Sequence, residues 1–502
     1  MLYHSTRNSN LTTDSASAVL QGLAPDGGLY MPEAIDAFDW QKCLEGSAQE
    51  MSARILSALL PDIPDMPRLV KNAYTGKFES EELTPTVSVG NFHVLELFRG
   101  PTSAFKDVAL CMLPQLLTAA KAEKGQEKDI LILTATSGDT GKAALAGFQD
   151  VPGVKICVFY PQGGVSQVQR AQMVTQEGEN VTVCAVQGNF DDAQTGVKNI
   201  FAACQGKELP YDLSSANSIN IGRLAPQIMY YFKAYRDLMD AGRIQLGDQV
   251  NFSVPTGNFG DILAGFLAKK LGLPVGKLIC ASNSNDVLTE FLKTGRYNRL
   301  RPLLKTKSPS MDILVSSNLE RLLYLMSGDC SLVAELMEQL KNDGRYHVPD
   351  YLLARIQNQF FGGSCGDLRG QLTIGRVWQA HNYLMDTHTA SGWAVAEDYV
   401  NQTGDTRPMV VLSTASPYKF PAAVLSAVLY SQEATPQDFL RIKDSVADLM
   451  KTPEGNEYDH MNRLQQITGV PIPRNLANLQ GKPERHTGVI HKDDMLNFVL
   501  GL

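Results

Sequence analysis

The sequence predicts an α/β protein with two open parallel-sheet α/β domains and an added N-terminal domain. From about residue 129, short apolar runs alternate with glycine-containing loops and helical segments, a pattern typical of a parallel sheet covered by helices. The same alternation restarts near residue 250, which indicates a second sheet. The length of 502 residues is typical of about three domains.

We assign residues 1–95 to the N-terminal domain, 96–225 to a small α/β domain and 226–502 to a large one. A turn cluster at Gly22–Pro32 and helical periodicity from Ala48 to Leu60 mark the first. The predicted strands of the other two are Ile130–Thr134, Val154–Tyr160, Val181–Val186, Val250–Val254, Leu278–Ala281 and Met409–Ser413. The predicted helices are Thr140–Phe148, Ser166–Gln176, Asp191–Cys204 and Asp261–Leu271.

The composition of the chain limits which ligands, compartments and metal sites are expected. The net charge of −8 disfavours nucleic acid as the main ligand, so any anionic ligand must be bound by local positive charge. We expect a cytoplasmic protein without a membrane segment, since no secretory h-region and no run of about 18 apolar residues is present. Eight cysteines without metal or disulfide spacing indicate a reducing compartment and no metal site, and Cys111, Cys157, Cys184 and Cys280 are expected in the core.

Two loops join a predicted strand to a predicted helix, at the strand ends where open α/β sheets bind ligands. In Thr134–Gly141, hydroxyl groups and free backbone N–H groups favour an anion site. The alternative is an ordinary helix cap by Ser137 or Thr140. In Val254–Asp261, two glycines permit close backbone approach to a phosphate. That loop has neither a Walker lysine nor the dinucleotide glycine pattern, and a simple tight turn is its alternative.

Four side chains elsewhere are candidates. Lys106 could attack a carbonyl if burial lowers its pKa, although most lysines are solvated surface charges. Arg223, near a helix start, could bind a phosphate with two hydrogen bonds, or lie on the surface. Thr414 follows a strand, where its hydroxyl could face a cofactor or bond its own backbone. His388 lacks the spacing of a catalytic triad or a metal site, so it receives no role.

Together these segments resemble the long form of the threonine synthase family, which are fold-type II pyridoxal-phosphate enzymes related to the β subunit of tryptophan synthase. The order and spacing of the matching segments are specific to that family, and they span nearly the whole chain. The segments are Tyr3–Asn8, Gly22–Leu29, Gly100–Asp107, Thr136–Gly141, Tyr160–Ser166, Asn217–Asn220 and Gly257–Asp261.

The resemblance implies a role for each matched position. Lys106 matches the lysine that holds pyridoxal 5′-phosphate as a Schiff base and moves protons. The remaining matches are a phosphate cup (Gly257, Asn258, Phe259, Gly260, Asp261), the partner of the pyridine nitrogen (Thr414), a group near the cofactor's 3-oxygen (Asp139), the substrate-carboxylate loop (Thr136, Ser137, Thr140, Gly141) and the substrate-phosphate ligand (Arg223). Arg99 and Lys419 are further candidates for the substrate phosphate.

The implied reaction converts O-phospho-L-homoserine and water to L-threonine and phosphate, the last step of threonine biosynthesis. The small domain is expected to close toward the large one when substrate binds. A dehydratase or phospho-lyase of the same fold, giving 2-oxobutyrate, is the alternative, and a phosphate-binding regulatory protein without covalent chemistry is a third. The chain departs from the family at Arg99, where a histidine is expected, at Thr387, where a proline is expected, and in the acidic run near Cys365–Gly370. The choice between monomer and homodimer stays open.

Overall fold

The computed structural model describes residues 1–34, 38–136, 138–204, 207–435, 438–440 and 451–502. The chain begins with a small antiparallel sheet in which β1 (Leu2–Ser5) lies between β2 (Asn8–Asp14) and β3 (Tyr30–Pro32). Helices α1 (Ser15–Gln21), α2 (Trp40–Cys43), α3 (Ala48–Leu59) and α4 (Met66–Tyr74) accompany it. A capping box between Ser47 and Glu50 starts α3, which confirms the helix predicted there.

A hairpin and one long helix lead into the first parallel sheet. The hairpin consists of β4 (Thr86–Val89) and β5 (Phe92–Glu96), and the helix is α5 (Lys106–Glu123). The predicted alternation then follows as β6 (Asp129–Ala135), α6 (Asp139–Phe148), β7 (Val154–Pro161), α7 (Gln167–Val174), β8 (Val181–Gln187), α8 (Phe190–Cys204) and β9 (Tyr211–Ser214). Each predicted strand and helix of this region is confirmed to within a few residues.

The rest of the chain contains the second parallel sheet and its helices. In order, the elements are α9 (Ile221–Leu224), α10 (Ile228–Asp240), β10 (Val250–Pro255), α11 (Gly260–Lys270), β11 (Val275–Ser282), α12 (Val287–Thr294), β12 (Arg296–Asn298), α13 (Leu319–Ser327), α14 (Cys330–Asp343), β13 (Arg345–His347), α15 (Asp350–Gln359), β14 (Phe360–Ser364), α16 (Asp367–His381), α17 (Thr387–Thr403), β15 (Met409–Ser413), α18 (Pro421–Glu433), α19 (Glu457–Thr468), α20 (Arg474–Ala477), β16 (Val489–His491) and α21 (Met495–Leu500).

The two sheets divide the chain differently from the predicted boundaries. The five-stranded sheet has the order β16-β8-β7-β6-β9 and is parallel throughout, whereas the six-stranded sheet has the order β14-β11-β10-β15-β5-β4, with only β4 antiparallel. Residues 86–96 therefore belong to the large sheet, because β5 pairs with β15. Residues 489–491, assigned with 226–502, pair instead with the edge strand β8 of the small sheet. A short strand added there covers an otherwise unpaired edge.

Helix α5 connects the parts of the molecule. Most of its length is buried, and Gly147 of α6 packs so closely that a β-carbon there would lie 1.9 Å from the Leu110 carbonyl oxygen. The four cysteines predicted for the core are buried. No helix within the described ranges combines the length and apolarity needed to cross a membrane.

Candidate active site

Lys106 is the first residue of α5, and a tight turn fixes its position. The Asp107 carboxylate accepts hydrogen bonds from the Thr102 N–H (2.9 Å) and the Thr102 hydroxyl. The Phe105 N–H donates to the Thr414 carbonyl at 2.8 Å, and the Tyr230 hydroxyl donates to the Phe105 carbonyl at 2.5 Å. The Lys106 amine is thereby held where α5, α10 and the end of β15 meet.

The surroundings of Lys106 make its amine easier to deprotonate than an exposed lysine. The residue is only 8% exposed, and its Nζ lies 3.9 Å from Asp139 Oδ2 and 4.8 Å from the centre of the Phe105 ring. Burial lowers the pKa of Lys106 to about 8, while Asp139 opposes the shift and the charges of Arg223 and Lys419 reinforce it. The interpretation of Lys106 as a solvated surface charge is therefore wrong.

Asp139 carries a carboxylate that bridges several groups of the site. Its Oδ1 accepts from Lys419 Nζ at 2.7 Å and from Gln169 Nε2 at 3.0 Å, and its Oδ2 accepts from Ser310 Oγ at 3.2 Å. Burial opposes ionisation, but the charges of Lys419 and Lys106 outweigh it and hold the pKa of Asp139 well below its usual range. Asp139 is thus a fixed negative charge between two lysines.

The loop from β10 into α11 presents backbone donors without protein acceptors. Among the described residues, no hydrogen bond is donated by the backbone N–H groups of residues 257–261, and Phe259 adopts a left-handed conformation (φ 61°). The Gly257 carbonyl accepts from Ser316 Oγ at 2.8 Å, and the Asn258 carbonyl from Asn318 N and Nδ2, both at 3.1 Å. In a trans peptide the carbonyl points opposite to the next N–H, so these bonds turn the following N–H groups the other way. A row of free N–H groups at a helix start fits a phosphate.

The side chain of Asp261 does not suit a phosphate cup. Its carboxyl group accepts from the Tyr231 hydroxyl at 3.2 Å, and its Oδ2 has no hydrogen-bond partner in the part of the chain that the structure describes. Burial raises the pKa of Asp261 to about 7. Since a carboxylate repels a phosphate, the group that Asp261 offers to the cup is its backbone N–H.

Thr136 organises the loop before α6. Its Oγ1 accepts from the N–H groups of Gly138 at 3.0 Å and Gly141 at 2.9 Å, so Thr136 bonds backbone groups on both sides of the start of α6. A β-carbon on Gly141 would lie 2.4 Å from Thr136 Cγ2, which explains the glycine. Thr140 is half-buried, and its hydroxyl makes no hydrogen bond to a described residue. Ser137 lies outside the described residues.

Arg223 is a buried cation without a carboxylate partner among the described residues. It lies in α9, and its Nη1 donates to the Ala216 carbonyl at 2.6 Å. Burial lowers the pKa of Arg223 to about 10. The burial of Arg223 contradicts the surface alternative, and an unpaired charge in such a position is costly.

The two further candidates for a phosphate ligand differ from Arg223. Arg99 is bound by Glu96 (2.6 and 2.9 Å) and Glu79 (2.9 Å) at a partly exposed position. That arrangement makes Arg99 a weaker candidate than Arg223, because three of its N–H donors already have carboxylate partners. Lys419 is fully buried and bonds Asp139 and the Thr102 carbonyl (3.1 Å).

The structure also assigns positions to Thr414 and His388. Thr414 is buried next to the start of α5, and its hydroxyl makes no hydrogen bond to a described residue. His388 Nδ1 lies 2.6 Å from Asp386 Oδ2, and its Nε2 accepts from the Ser310 N–H at 3.1 Å. His388 therefore holds Ser310, which in turn bonds Asp139. Sequence reasoning missed Ser310, Gln169 and Asn318, since none of them follows a predicted strand.

Contacts join four of the predicted parts of the site, namely Lys106, Asp139, Thr414 and the loop at residues 257–261. Ser310 links Asp139 to the cup, since a β-carbon on Gly257 would lie 2.9 Å from the Ser310 carbonyl oxygen. Asp139 faces Lys106, and the segment before Lys106 bonds the Thr414 backbone. A low-pKa amine and a separate phosphate cup are what a cofactor with an aldehyde and a phosphate requires, so the residues present fit pyridoxal phosphate.

Comparison with known proteins gives three family matches. Residues 73–342 match "Pyridoxal-phosphate dependent enzyme", residues 2–74 match "Threonine synthase N terminus" and residues 389–467 match "Threonine synthase, C-terminal". Threonine synthase of Pseudomonas aeruginosa is 40% identical over 446 residues, covering 87% of this chain and 92% of that protein.

Two other relatives bear on length and fold. Threonine synthase-like 1 of Macaca fascicularis is 38% identical over 435 residues, which cover 82% of this chain, and the match spans 58% of that longer relative. The crystal structure of PLP-bound threonine synthase from Brucella melitensis superposes with a TM-score of 0.83 at 36% identity, covering 100% of this chain and 99% of that one. The fold agreement thus extends over the whole chain.

Proposed function

The chain belongs to the threonine synthase family of pyridoxal-phosphate-dependent enzymes, and on that premise we propose that it converts O-phospho-L-homoserine and water to L-threonine and phosphate. The observation that carries the proposal is the buried Arg223 guanidinium, which has no carboxylate partner among the described residues. Arg223 offers a second group for an anion in addition to the cup at residues 257–261, because it lies in α9 and not in the loop before α11. One site suits the phosphate of the cofactor, and the other suits the phosphate of a substrate.

Several residues are suited to hold the cofactor. The backbone N–H groups of residues 257–261 would hold its phosphate, Lys106 would hold its aldehyde carbon, and the Thr414 hydroxyl would serve its ring nitrogen. When bound, pyridoxal phosphate withdraws electrons from the substrate's α-carbon and so makes the protons of Cα and Cβ removable. The Thr414 hydroxyl is neutral, so beside the ring nitrogen it would adjust this electron withdrawal without adding a charge.

Lys106 is the group that moves protons. With the cofactor bound, the neutral Lys106 Nζ would take the proton from Cα of the substrate and then one from Cβ, and the phosphate group would leave from Cγ. Protons would return to Cγ and Cα, water would supply the hydroxyl at Cβ, and the second proton of the water would balance the one that the departing phosphate takes up. A pKa near 8 allows the same amine to accept and to release a proton near neutral pH.

The remaining residues orient the substrate. Arg223 would receive the phosphate, and Thr140 at the start of α6 would receive the α-carboxylate, whereas the Gly141 N–H already donates to Thr136. Thr136 shapes this loop through its two hydrogen bonds to backbone N–H groups. Asp139 stays ionised beside Lys106 and Lys419, so it keeps the local charge from becoming excessively positive.

Product identification tests the proposal. Purified holoenzyme is incubated with O-phosphohomoserine, and phosphate, threonine and 2-oxobutyrate are quantified. Equal amounts of threonine and phosphate support the proposal. Phosphate with 2-oxobutyrate instead of threonine indicates the phospho-lyase alternative, and no phosphate release contradicts both.

We also propose a cytoplasmic location. All eight cysteines are free thiols, which is the state that a reducing compartment maintains. Cell fractionation with an antibody against the chain tests this, and recovery in an oxidising compartment contradicts it.

A further inference from the structure

Arg321, in the first turn of α13, connects three separate parts of the molecule. Its side chain is fully buried. Its Nε donates to the Tyr30 carbonyl at 3.2 Å, its Nη1 to Asn318 Oδ1 at 2.5 Å and its Nη2 to the Ile219 carbonyl at 2.6 Å. No ion pair joins it to another described residue. It therefore spans the N-terminal sheet, the loop before α9 and the segment that holds the cup.

The neighbouring Glu320 makes a parallel connection to the N-terminal sheet. Its Oε1 accepts from the Thr6 hydroxyl at 2.6 Å and from Arg7 Nε at 2.9 Å, and its Oε2 accepts from Arg7 Nη2 at 2.8 Å. Thr6 itself bonds Leu29 through both its backbone and its hydroxyl. Two successive residues of α13 thus attach to the N-terminal sheet.

Asn318 transmits the position of Arg321 to the cup. A guanidinium only donates hydrogen bonds, so it selects the oxygen of the Asn318 amide and turns the amide nitrogen the other way. That nitrogen donates to the Asn258 carbonyl at 3.1 Å and to the Ser218 carbonyl at 3.0 Å. The Asn258 carbonyl and the Phe259 N–H belong to the same trans peptide and point in opposite directions. A hydrogen bond that holds the carbonyl therefore also sets the direction of the Phe259 N–H.

We propose that Arg321 is a positioning residue for the phosphate of the cofactor: through Asn318 it sets the direction of the N–H groups in the cup, and through Tyr30 and Glu320 the N-terminal sheet holds it in place. The proposal rests on the proposed function only in requiring that the cup binds the phosphate of pyridoxal phosphate. It makes the N-terminal domain part of the cofactor site.

The choice of partners distinguishes this arrangement from ordinary packing. A buried guanidinium with only carbonyl and amide acceptors is costly, and apolar residues of similar volume often stabilise a core better. Of the three acceptors, Asn318 bonds the cup, Ile219 lies between Ser218 and the helix of Arg223, and Tyr30 lies in the N-terminal sheet. The guanidinium of arginine is planar and carries five N–H donors in fixed directions, so it can hold several acceptors in a defined geometry.

The test separates phosphate binding from binding of the rest of the cofactor. Full-length protein freed of cofactor is titrated with pyridoxal phosphate and with pyridoxal, which has the same ring and aldehyde but no phosphate, and binding is followed by tryptophan fluorescence. For Arg321→Lys, which keeps the charge but loses the fork of donors, we expect at least a tenfold loss of affinity for pyridoxal phosphate. The affinity for pyridoxal should stay within twofold of wild type.

Two outcomes overturn the proposal: Arg321→Lys binds both ligands as wild type does, or it loses affinity for both equally. A wild-type protein that binds pyridoxal and its phosphate equally well contradicts the cup itself. Failure of the proposed function gives a different result. Wild type then binds pyridoxal phosphate more tightly than pyridoxal but forms no threonine from O-phosphohomoserine.

A second variant keeps the proposal testable if Arg321→Lys does not fold. Arg7→Gln removes the bidentate pair with Glu320 at a side chain that is 28% exposed. Its matched control is Arg376→Gln, which removes the pair with Glu397 (2.6 and 2.7 Å) at a side chain that is 35% exposed and distant in sequence from the cup. We expect Arg7→Gln to lower the affinity for pyridoxal phosphate three- to tenfold and to leave the affinity for pyridoxal unchanged. Equal behaviour of the two variants overturns the role of the N-terminal sheet.

Discussion

Lys419 Nζ lies 2.7 Å from Asp139 Oδ1, closer than Lys106, whose Nζ is 3.9 Å from the other carboxylate oxygen. Lys419 is therefore the principal ion-pair partner of Asp139. Because the carboxylate is shared in this way, Lys106 is not locked into a tight ion pair. Its pKa is set mainly by burial, and the amine stays free to react.

The pH dependence of cofactor capture follows from this arrangement. Only neutral Lys106 attacks the aldehyde, so in wild type the capture rate should rise as pH passes through about 8. Asp139 raises the pKa of Lys106, so Asp139→Asn should move the midpoint to lower pH. Stopped-flow absorbance between pH 6 and 9 measures the midpoint, with Glu79→Gln at the surface as the control. An unchanged or higher midpoint in Asp139→Asn contradicts the assignment.

Arg223→Met should impair substrate binding more than cofactor binding. Loss of a charge-assisted hydrogen bond to phosphate costs about 1.5–3 kcal/mol, which corresponds to about a 10- to 150-fold rise in KM for O-phosphohomoserine. Steady-state kinetics and a cofactor titration measure the two effects. Arg99→Met, whose partners are Glu96 and Glu79, should keep KM within twofold. A larger effect from Arg99 than from Arg223 would reverse the assignment.

Gly257→Ala should weaken the phosphate cup. The added β-carbon would lie 2.9 Å from the Ser310 carbonyl oxygen, so the cup or the Ser310 segment must shift. We expect about a tenfold loss of affinity for pyridoxal phosphate, comparable to the loss of one hydrogen bond. Gly370→Ala is the control. Gly370 lies in α16, and a β-carbon added there would be 4.0 Å from its nearest neighbour. Wild-type affinity in Gly257→Ala contradicts the described packing.

Thr136→Ala should destabilise the loop before α6. The substitution leaves the N–H groups of Gly138 and Gly141 without their shared acceptor, at a cost of about 1–2 kcal/mol. Urea unfolding measures the loss, and KM for the substrate should rise as well. Thr136→Ser retains the hydroxyl and should recover most of both. If serine fails to do so, the hydroxyl is not the feature that matters.

Much of the site was predictable because it lies on local sequence patterns. The loop at residues 257–261 stands at the junction of a predicted strand and a predicted helix, and the structure has both elements there, whereas Lys106 was singled out by the family resemblance of the segment around it. Asp261 shows the limit of this reasoning. The loop motif at residues 257–261 predicts where Asp261 lies in the chain. The direction of its side chain depends on a hydrogen bond from Tyr231, which lies 30 residues earlier.

Long-range contacts account for what the sequence did not reveal. Arg321 bonds Tyr30 and Ile219 across 291 and 102 residues, and no periodicity marks such a partnership. Strand β16 pairs with β8 from the far end of the chain. Its three residues are too short to stand out as a strand, and only the open edge of the small sheet gives them a partner.

The most direct test of the account is phosphate release from O-phosphohomoserine by wild type and Lys106→Ala, together with borohydride reduction and peptide mapping of the wild-type holoenzyme. Lys142 is an internal comparison, since burial also lowers its pKa to about 8. We predict a fall in turnover of at least about 10³-fold in the variant and a reduced cofactor adduct on Lys106 alone. Full turnover by Lys106→Ala, or an adduct on Lys142 in place of Lys106, would contradict the central claim.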